Sequence, residues 1–295
     1  MAAHDDGLTT PSPAGPPTTR EWDAASYDRI STPQVRWVTG LLGHLRPEGV
    51  ELVLDAGCGT GRVTEEVLER LPRARVVALD GSRRMLDAAA RRRAPAVDAG
   101  RVSFVHADLA RPLALEQPVD AIFSTATFHW VLDHDALFAN LAAVLRPGGQ
   151  LVAQFGGAGN VASVVAALET LGEAGNPLHG AGNPLPGAGN PLHGAGNPLH
   201  GAGHPWHFAD EEETRERLLR AGFTDVRTWM QEEPTPFEPG APLEEFLATV
   251  VLGCHLERLA PEERSPFVKR VAAALPSPVL DYVRLNVVAR RGGGR

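Results

Sequence analysis

Cysteine is close to absent from this 295-residue chain. Cys58 and Cys254 are the two it has, which excludes a disulfide framework and suits a reducing, cytoplasmic setting. Tyrosine is equally scarce, with two residues. Positive charge is short as well: the net charge is −8, and no basic stripe interleaved with aromatics marks a nucleic-acid surface. The one basic run, Arg91-Arg92-Arg93, ends a helical stretch, where the dipole favours cations, and reads as a solvated face. Residues 1–20 contain four prolines and no apolar h-region, so they read as a disordered leader and not as a signal peptide or membrane span. What the chain does have is 43% apolar residues, enough for one large α/β core with a cap.

The most informative stretch is Leu54-Asp55-Ala56-Gly57-Cys58-Gly59-Thr60-Gly61, directly after an apolar run. Glycines at alternate positions remove the Cβ atoms that would hold a ligand off the backbone and permit a φ > 0 turn. Asp55 at the strand end is expected to face the ligand and accept from an ammonium or hydroxyl, while amides opening the helix from Arg62 take an anionic end. A dinucleotide site wants G-x-G-x-x-G with no acid ahead of it. Here the spacing is G-x-G-x-G and the acid repels a pyrophosphate, so a zwitterion such as the amino-acid end of S-adenosylmethionine fits better. Cys58 reads as a small residue filling the loop, not as a nucleophile.

Two further acids follow two further strands. Residues 74–80 read as a buried parallel strand ending in Asp80, placed to hold both ribose hydroxyls. Residues 102–105 lead to Ala107-Asp108-Leu109, where Asp108 can accept from an adenine amino group. Taken singly, such aspartates are most often turn formers or caps; three in succession favour a ligand. With Trp22 to Asp28, Asp80 to Leu86, Phe128-His129-Trp130-Val131 and Leu145-Arg146-Pro147-Gly148-Gly149, the chain resembles the class I S-adenosylmethionine-dependent methyltransferases. Within them it is most similar to the trans-aconitate and related small-molecule carboxylate O-methyltransferases. That resemblance implies S-adenosyl-L-methionine as cofactor, held by Tyr27, Asp55, Gly57, Cys58, Gly59, Gly61, Asp80, Gly81, Ser82, Met85, Ala107, Asp108, Leu109 and Thr125. Tyr27 resembles the lid residue over the methionine portion; otherwise it is a surface aromatic.

Alternation of apolar strands and helical stretches implies right-handed crossovers. The expected architecture is α/β: a doubly wound, mostly parallel, seven-stranded Rossmann-like sheet with a small helical cap. Strands are expected near 50–55, 75–79, 102–106, 119–124 and 150–155, and helices near 62–71, 83–94, 134–146 and 210–221. Arg146 to Gly149 are expected to stop a helix and turn into the fifth strand. Strands near 225–230 and 282–289 form, by resemblance, an antiparallel edge pair with residues 241–275 between them as the cap. The units are then a leader (1–20), a cofactor-binding core (21–172), an insert (173–205) and the remaining core with its cap (206–295). The insert is a heptapeptide, Ala-Gly-Asn-Pro-Leu-His-Gly, copied from Ala174 to Gly201 with Pro186 in place of one histidine. His179, His193, His200 and His204 are spaced along a Gly/Pro chain that preorganises no coordination shell, so no metal is expected.

By resemblance, His129 and Trp130 after the fourth strand face cofactor and acceptor as the catalytic pair. His129 either donates to an acceptor carboxylate or serves as general base for a hydroxyl or amine. Trp130 packs against sulfonium or substrate, or else is a core tryptophan. A carboxylate, with a pKa near ~4, is already ionised at neutrality and needs alignment more than deprotonation. The cap residues Phe246, Val250, Val251, Leu252 and His255 point to an acceptor with a hydrophobic body. The expected partner is thus a small-molecule acceptor, with no nucleic acid or membrane, and the protein a monomer or homodimer. A non-catalytic S-adenosylmethionine-binding protein and an NAD-dependent oxidoreductase are the competing readings.

Overall fold

The computed structural model describes residues 20–30, 32–46, 49, 51–171 and 205–293. The expectations placed on residues 1–19 of the leader and on all but Pro205 of the insert lie outside these residues; Arg20, the leader's last residue, is described and ion-paired with Glu257. The strands are β1 (Leu52–Ala56), β2 (Arg75–Asp80), β3 (Val102–His106), β4 (Val119–Thr125), β5 (Leu145–Gly156), β6 (Phe223–Pro236) and β7 (Val279–Arg291). They form one seven-stranded sheet in the order β3-β2-β1-β4-β5-β7-β6. The first five are mutually parallel, and β7 runs antiparallel to both β5 and β6. The doubly wound, mostly parallel sheet expected from the sequence is therefore what the chain forms, with its antiparallel edge pair.

Every residue of β1 is buried, as a parallel strand covered on both faces requires. Its side chains alternate between two cores: Leu52, Leu54 and Ala56 enter one, Val53 the other. The helices are α1 (Ala24–Ile30), α2 (Thr32–Leu42), α3 (Arg62–Arg70), α4 (Arg83–Arg92), α5 (Ala94–Asp98), α6 (His134–Val144), α7 (Ala162–Thr170), α8 (Glu211–Arg220), α9 (Ala241–Phe246), α10 (Gly253–Leu256) and α11 (Pro261–Ala274). Val67 and Leu68 of α3, Leu86 of α4 and Leu41 of α2 fill the core on one face. Phe138 and Leu141 of α6 and Leu218 of α8 fill the core on the other. Ser82, Asp133 and Asp210 cap α4, α6 and α8 by accepting from the amides of Met85, Ala136 and Glu213, each a contribution of about 1 kcal/mol. A third core lies under the helices between β6 and β7, where Phe246, Phe267 and Val271 meet Val164 and Leu168 of α7.

Three boundaries differ from the sequence reading. α6 ends at Val144, not near 146, because Leu145 is already extended (φ −92, ψ 128) and pairs with Val119. Residues 146–149 then bulge out before Ala121 pairs with Gln150, so the glycines interrupt a strand and do not stop a helix. β6 and β7 run well beyond 225–230 and 282–289. β6 is the sheet edge, where polar residues and Pro234 and Pro236 are tolerated and hide the strand pattern.

Candidate active site

The strand order reverses between β1 and β4, the place where an open α/β sheet leaves a crevice beyond its carboxyl ends. A cavity of about 490 Å³ opens there. After β1, Gly57 and Gly59 line it, with φ of 84° and 53°. A Cβ on Gly57 would sit 2.2 Å from Thr127 Oγ1, whereas one on Gly59 would meet no protein atom within 4 Å; the first glycine is needed for packing and the second keeps space open beside the backbone. Gly61 is also left-handed, at 78°, but faces Ala89 behind the wall. Cys58 is likewise buried outside the wall, and its thiol is pushed up by burial.

Asp55 departs from the expectation that it faces the ligand. It is 1% exposed, absent from the cavity wall, and accepts from Thr64 Oγ1 at 2.6 Å. Burial raises its pKa to about 7, with Asp80 adding to the rise and the Thr64 hydroxyl opposing it. The carboxylate tip is turned into α3, where one hydroxyl is the partner within reach, so it braces the loop from behind.

Asp80, at the tip of β2, does line the cavity. Its Oδ2 accepts from the amide of Gly59 at 2.9 Å and its Oδ1 from that of Ser82 at 2.8 Å; the Gly81 amide also donates to the carboxylate, which leaves about one of its four lone-pair sites for a ligand. Burial pushes its carboxyl upward against the lowering effect of those amides. Gly81, Ser82 and Met85 continue the same wall. Asp108 follows β3 together with Ala107 and Leu109; its Oδ1 caps the turn by accepting from Ala110 at 2.9 Å, so it is a turn former and a wall residue at once. Thr125 closes β4, and the next residue, Ala126, is held at φ 53° in the wall, the kind of strained backbone that clusters at functional sites.

The N-terminal segment folds over this rim. Glu21 accepts from Ser82 Oγ at 2.8 Å and from the amides of Arg83 and Arg84, an acid at the start of α4. Burial raises its pKa, but these bonds outweigh it and the net shift is downward. Asp28 pairs with Arg62 and Arg92 and accepts from Thr60. Tyr27, between these two anchors, lies in the wall with its pKa raised to about 12 by burial.

His129 and Trp130 sit on a short 3-10 turn, Phe128–Trp130, and both line the cavity. His129 Nδ1 accepts from the Gly156 amide at 3.3 Å. Burial, followed by the charges of Arg284 and His134, holds its pKa well below the usual value. The ring is therefore neutral with its proton on Nε2, a donor. Trp130 stands edge-on to Trp22 (5.0 Å) and Trp206 (6.1 Å), and Trp206 stacks on Phe208 at 5.5 Å. The sequence reading missed Trp22, Trp206 and Phe208 as wall residues.

It also missed Tyr282 and Arg284, two positions apart on β7 and both in the wall. Arg284 is 2% exposed; among the described residues its buried Nε and Nη2 have no hydrogen-bond partner and no ion pair involves it. Its guanidinium lies 4.7 Å over the Trp37 ring. Tyr282 Oη is also buried without a hydrogen-bond partner among the described residues. The usable signal was an arginine inside a run, Val279 to Ala289, otherwise fit for a strand paired on both sides.

Residues 53–149 match the family model described as a methyltransferase domain. Over 134 residues it is 39% identical to a trans-aconitate 2-methyltransferase of Acidovorax ebreus, covering 45% of this chain and 49% of that one. A trans-aconitate 2-methyltransferase of Streptomyces coelicolor is 37% identical over 144 residues, covering 48% and 47%. The chain thus matches about half the length of these curated relatives. Phosphoethanolamine N-methyltransferase 2 of Haemonchus contortus, solved with S-adenosyl-L-methionine, superposes with a TM-score of 0.54 at 17% identity, over 92% of this chain and 57% of that one. A [4+2]-cyclase, SpnF, superposes at 0.53 and 18% identity, over 88% and 82%; the shared fold therefore does not by itself name a reaction. Among the described residues no helix is long and apolar enough to cross a membrane.

Proposed function

We propose that the protein is an S-adenosylmethionine-dependent methyltransferase acting on a carboxylate oxygen of a small molecule. The observation that carries the carboxylate is Arg284, a buried guanidinium with unpaired donors in the wall of the cavity that also holds Asp80 and the glycine loop. An unpartnered buried charge costs several kcal/mol unless an anion meets it, and planar guanidinium matches carboxylate in particular. The trans-aconitate acceptor of the relatives is such an acid.

The wall fits S-adenosylmethionine. Asp80 keeps acceptor capacity for ribose hydroxyls, Gly59 leaves open space where a Cβ would project, and Asp108 and Leu109 supply a polar and an apolar edge for a base. Bound there, the cofactor supplies an electrophilic methyl on a sulfonium. Arg284 and Tyr282 orient the acceptor's carboxylate, and the aromatic wall excludes water, which strengthens each of these contacts. His129, with its proton fixed on Nε2 by the Gly156 amide, donates to an acceptor oxygen; in that tautomer it has no lone pair facing away from the Gly156 amide and is not a base. This separates carboxylate transfer, which needs no base, from transfer to a hydroxyl or amine. The test is transfer of a labelled methyl group from S-adenosylmethionine into a base-labile ester with a pool of carboxylic acids. Label found in an ether or amine, or none transferred while the cofactor binds, overturns the reading.

A further inference from the structure

The cavity wall is unevenly furnished. Its apolar side is made by Trp22, Trp130, Trp206, Phe208, Val250 and Val251. Its described cationic side chains are Arg20 and Arg284, and they are not equivalent. Arg20 is paired with Glu257 at 2.7 Å and lies 4.2 Å over the Trp22 ring, so an acid already meets its charge, although its Nη1 is buried without a hydrogen-bond partner among the described residues. Arg284 has no acid within ion-pair distance among the described residues; Glu233, on the neighbouring β6, acts on it from farther off. Tyr282 Oη, one alternation away on the same strand face, is a second buried donor without a hydrogen-bond partner among the described residues. The remaining charges in the wall, Asp80 and Asp108, are negative. Residues 1–19 and 172–204 contain neither lysine nor arginine; the side chains of Arg29 and Arg36 lie outside the described residues.

We infer that the acceptor is a monoanionic acid with an apolar or aromatic body, its carboxylate held by Arg284 and Tyr282, and not a polyanionic acid of the trans-aconitate kind. The inference rests on the carboxylate methyl-transfer reading and specifies its substrate class. The unpaired guanidinium N–H groups, the phenol hydroxyl and the His129 Nε2–H together meet the about four lone-pair sites of a single carboxylate. Each further carboxylate of a tricarboxylate would lie against indole and valine surface, or beside Asp80 and Asp108, and among the described wall residues the one other cation, Arg20, is already paired with Glu257. An alkyl or aryl body instead gains from the Trp206–Phe208 stack and the two valines.

The experiment compares decanoate, 3-phenylpropionate, acetate and trans-aconitate as methyl acceptors for the full chain, and their binding to its S-adenosylhomocysteine complex by calorimetry. The expected kcat/KM for decanoate or 3-phenylpropionate exceeds that for trans-aconitate by ~100-fold or more, about 2.8 kcal/mol at 1.4 kcal/mol per decade. Acetate is expected to be poor for want of a body. Arg284→Met should cut kcat/KM for the best acid by ~100-fold while leaving the cofactor Kd in place, and Tyr282→Phe, which keeps the ring and removes only the donor, by ~10-fold. Trans-aconitate used or bound as well as the apolar acids, or acetate equal to decanoate, overturns the inference and leaves carboxylate methyl transfer standing. Ester from none of the acids, with the cofactor bound, overturns both.

Discussion

Replacing Asp55 with asparagine separates a brace from a ligand contact. The carboxyl is buried against Thr64 and its pKa is raised from 3.8 to about 7. Below about pH 7 the folded protein takes up a proton that the unfolded chain takes up only near its ordinary value, so folding gains stability as pH falls through that window and loses it as pH rises through about 7. Between about pH 8 and about pH 5.5 the linkage from this one group amounts to roughly 2 kcal/mol. That corresponds to a shift of roughly 4–8 °C in thermal midpoint for a domain of this size. Asparagine keeps the acceptor for the Thr64 hydroxyl and removes the titration. The midpoint of Asp55→Asn should therefore respond less to acidification over that interval, by this amount, and the variant should be the more stable of the two at pH 8. The assay is thermal unfolding of both proteins across the range, with S-adenosylmethionine affinity measured alongside. Parallel midpoint curves would refute the buried, proton-binding carboxyl; a loss of cofactor affinity of tenfold or more would show that Asp55 reaches the ligand after all.

Asp80→Ala should weaken S-adenosylmethionine binding by roughly 1–3 kcal/mol, the cost of leaving ribose hydroxyls unpaired; calorimetry on the folded variant checks it, and unchanged affinity contradicts it. His129→Ala should lower kcat/KM for the acceptor with little change in cofactor affinity, the pattern of a contact made with acceptor and transition state. Because burial keeps His129 neutral, the wild-type kcat/KM should show no inflection near the ordinary histidine pKa, and one that disappears in His129→Ala would reinstate it as a base. Replacing Gly175 to Gly203 with a short Gly/Ser linker should leave the midpoint and cofactor affinity nearly unchanged, since loop length alters closure entropy slowly; a fall of many degrees would show that the repeat packs on the domain.

The parts of this molecule legible in the sequence are those where one local constraint leaves one residue pattern. Strands covered on both faces need apolar runs, so β1, β2 and β4 stood out, while edge strand β3 showed as the alternation Val102-Ser103-Phe104; the acids following β2 and β3 could be placed without knowing the packing. The left-handed glycines were legible because little but glycine fits there. The direction of Asp55 was not, since strand position says that it sits at the tip but not whether Thr64 turns it inward. Arg284 and Tyr282 were hidden for a related reason: on β7, paired along both edges, alternation gives a face but not which cavity that face closes. Trp206 and Phe208 follow the repeat with no periodicity of their own, and their role arises only when the third core folds against His129 and Trp130.

The most direct test of the central claim is a side-by-side calorimetric titration of the full chain with S-adenosylmethionine and with NAD. The glycine spacing, Asp80 and the open face of Gly59 predict saturable one-to-one binding of S-adenosylmethionine and no measurable heat from NAD. Binding of NAD in its place, or of neither, would contradict the account.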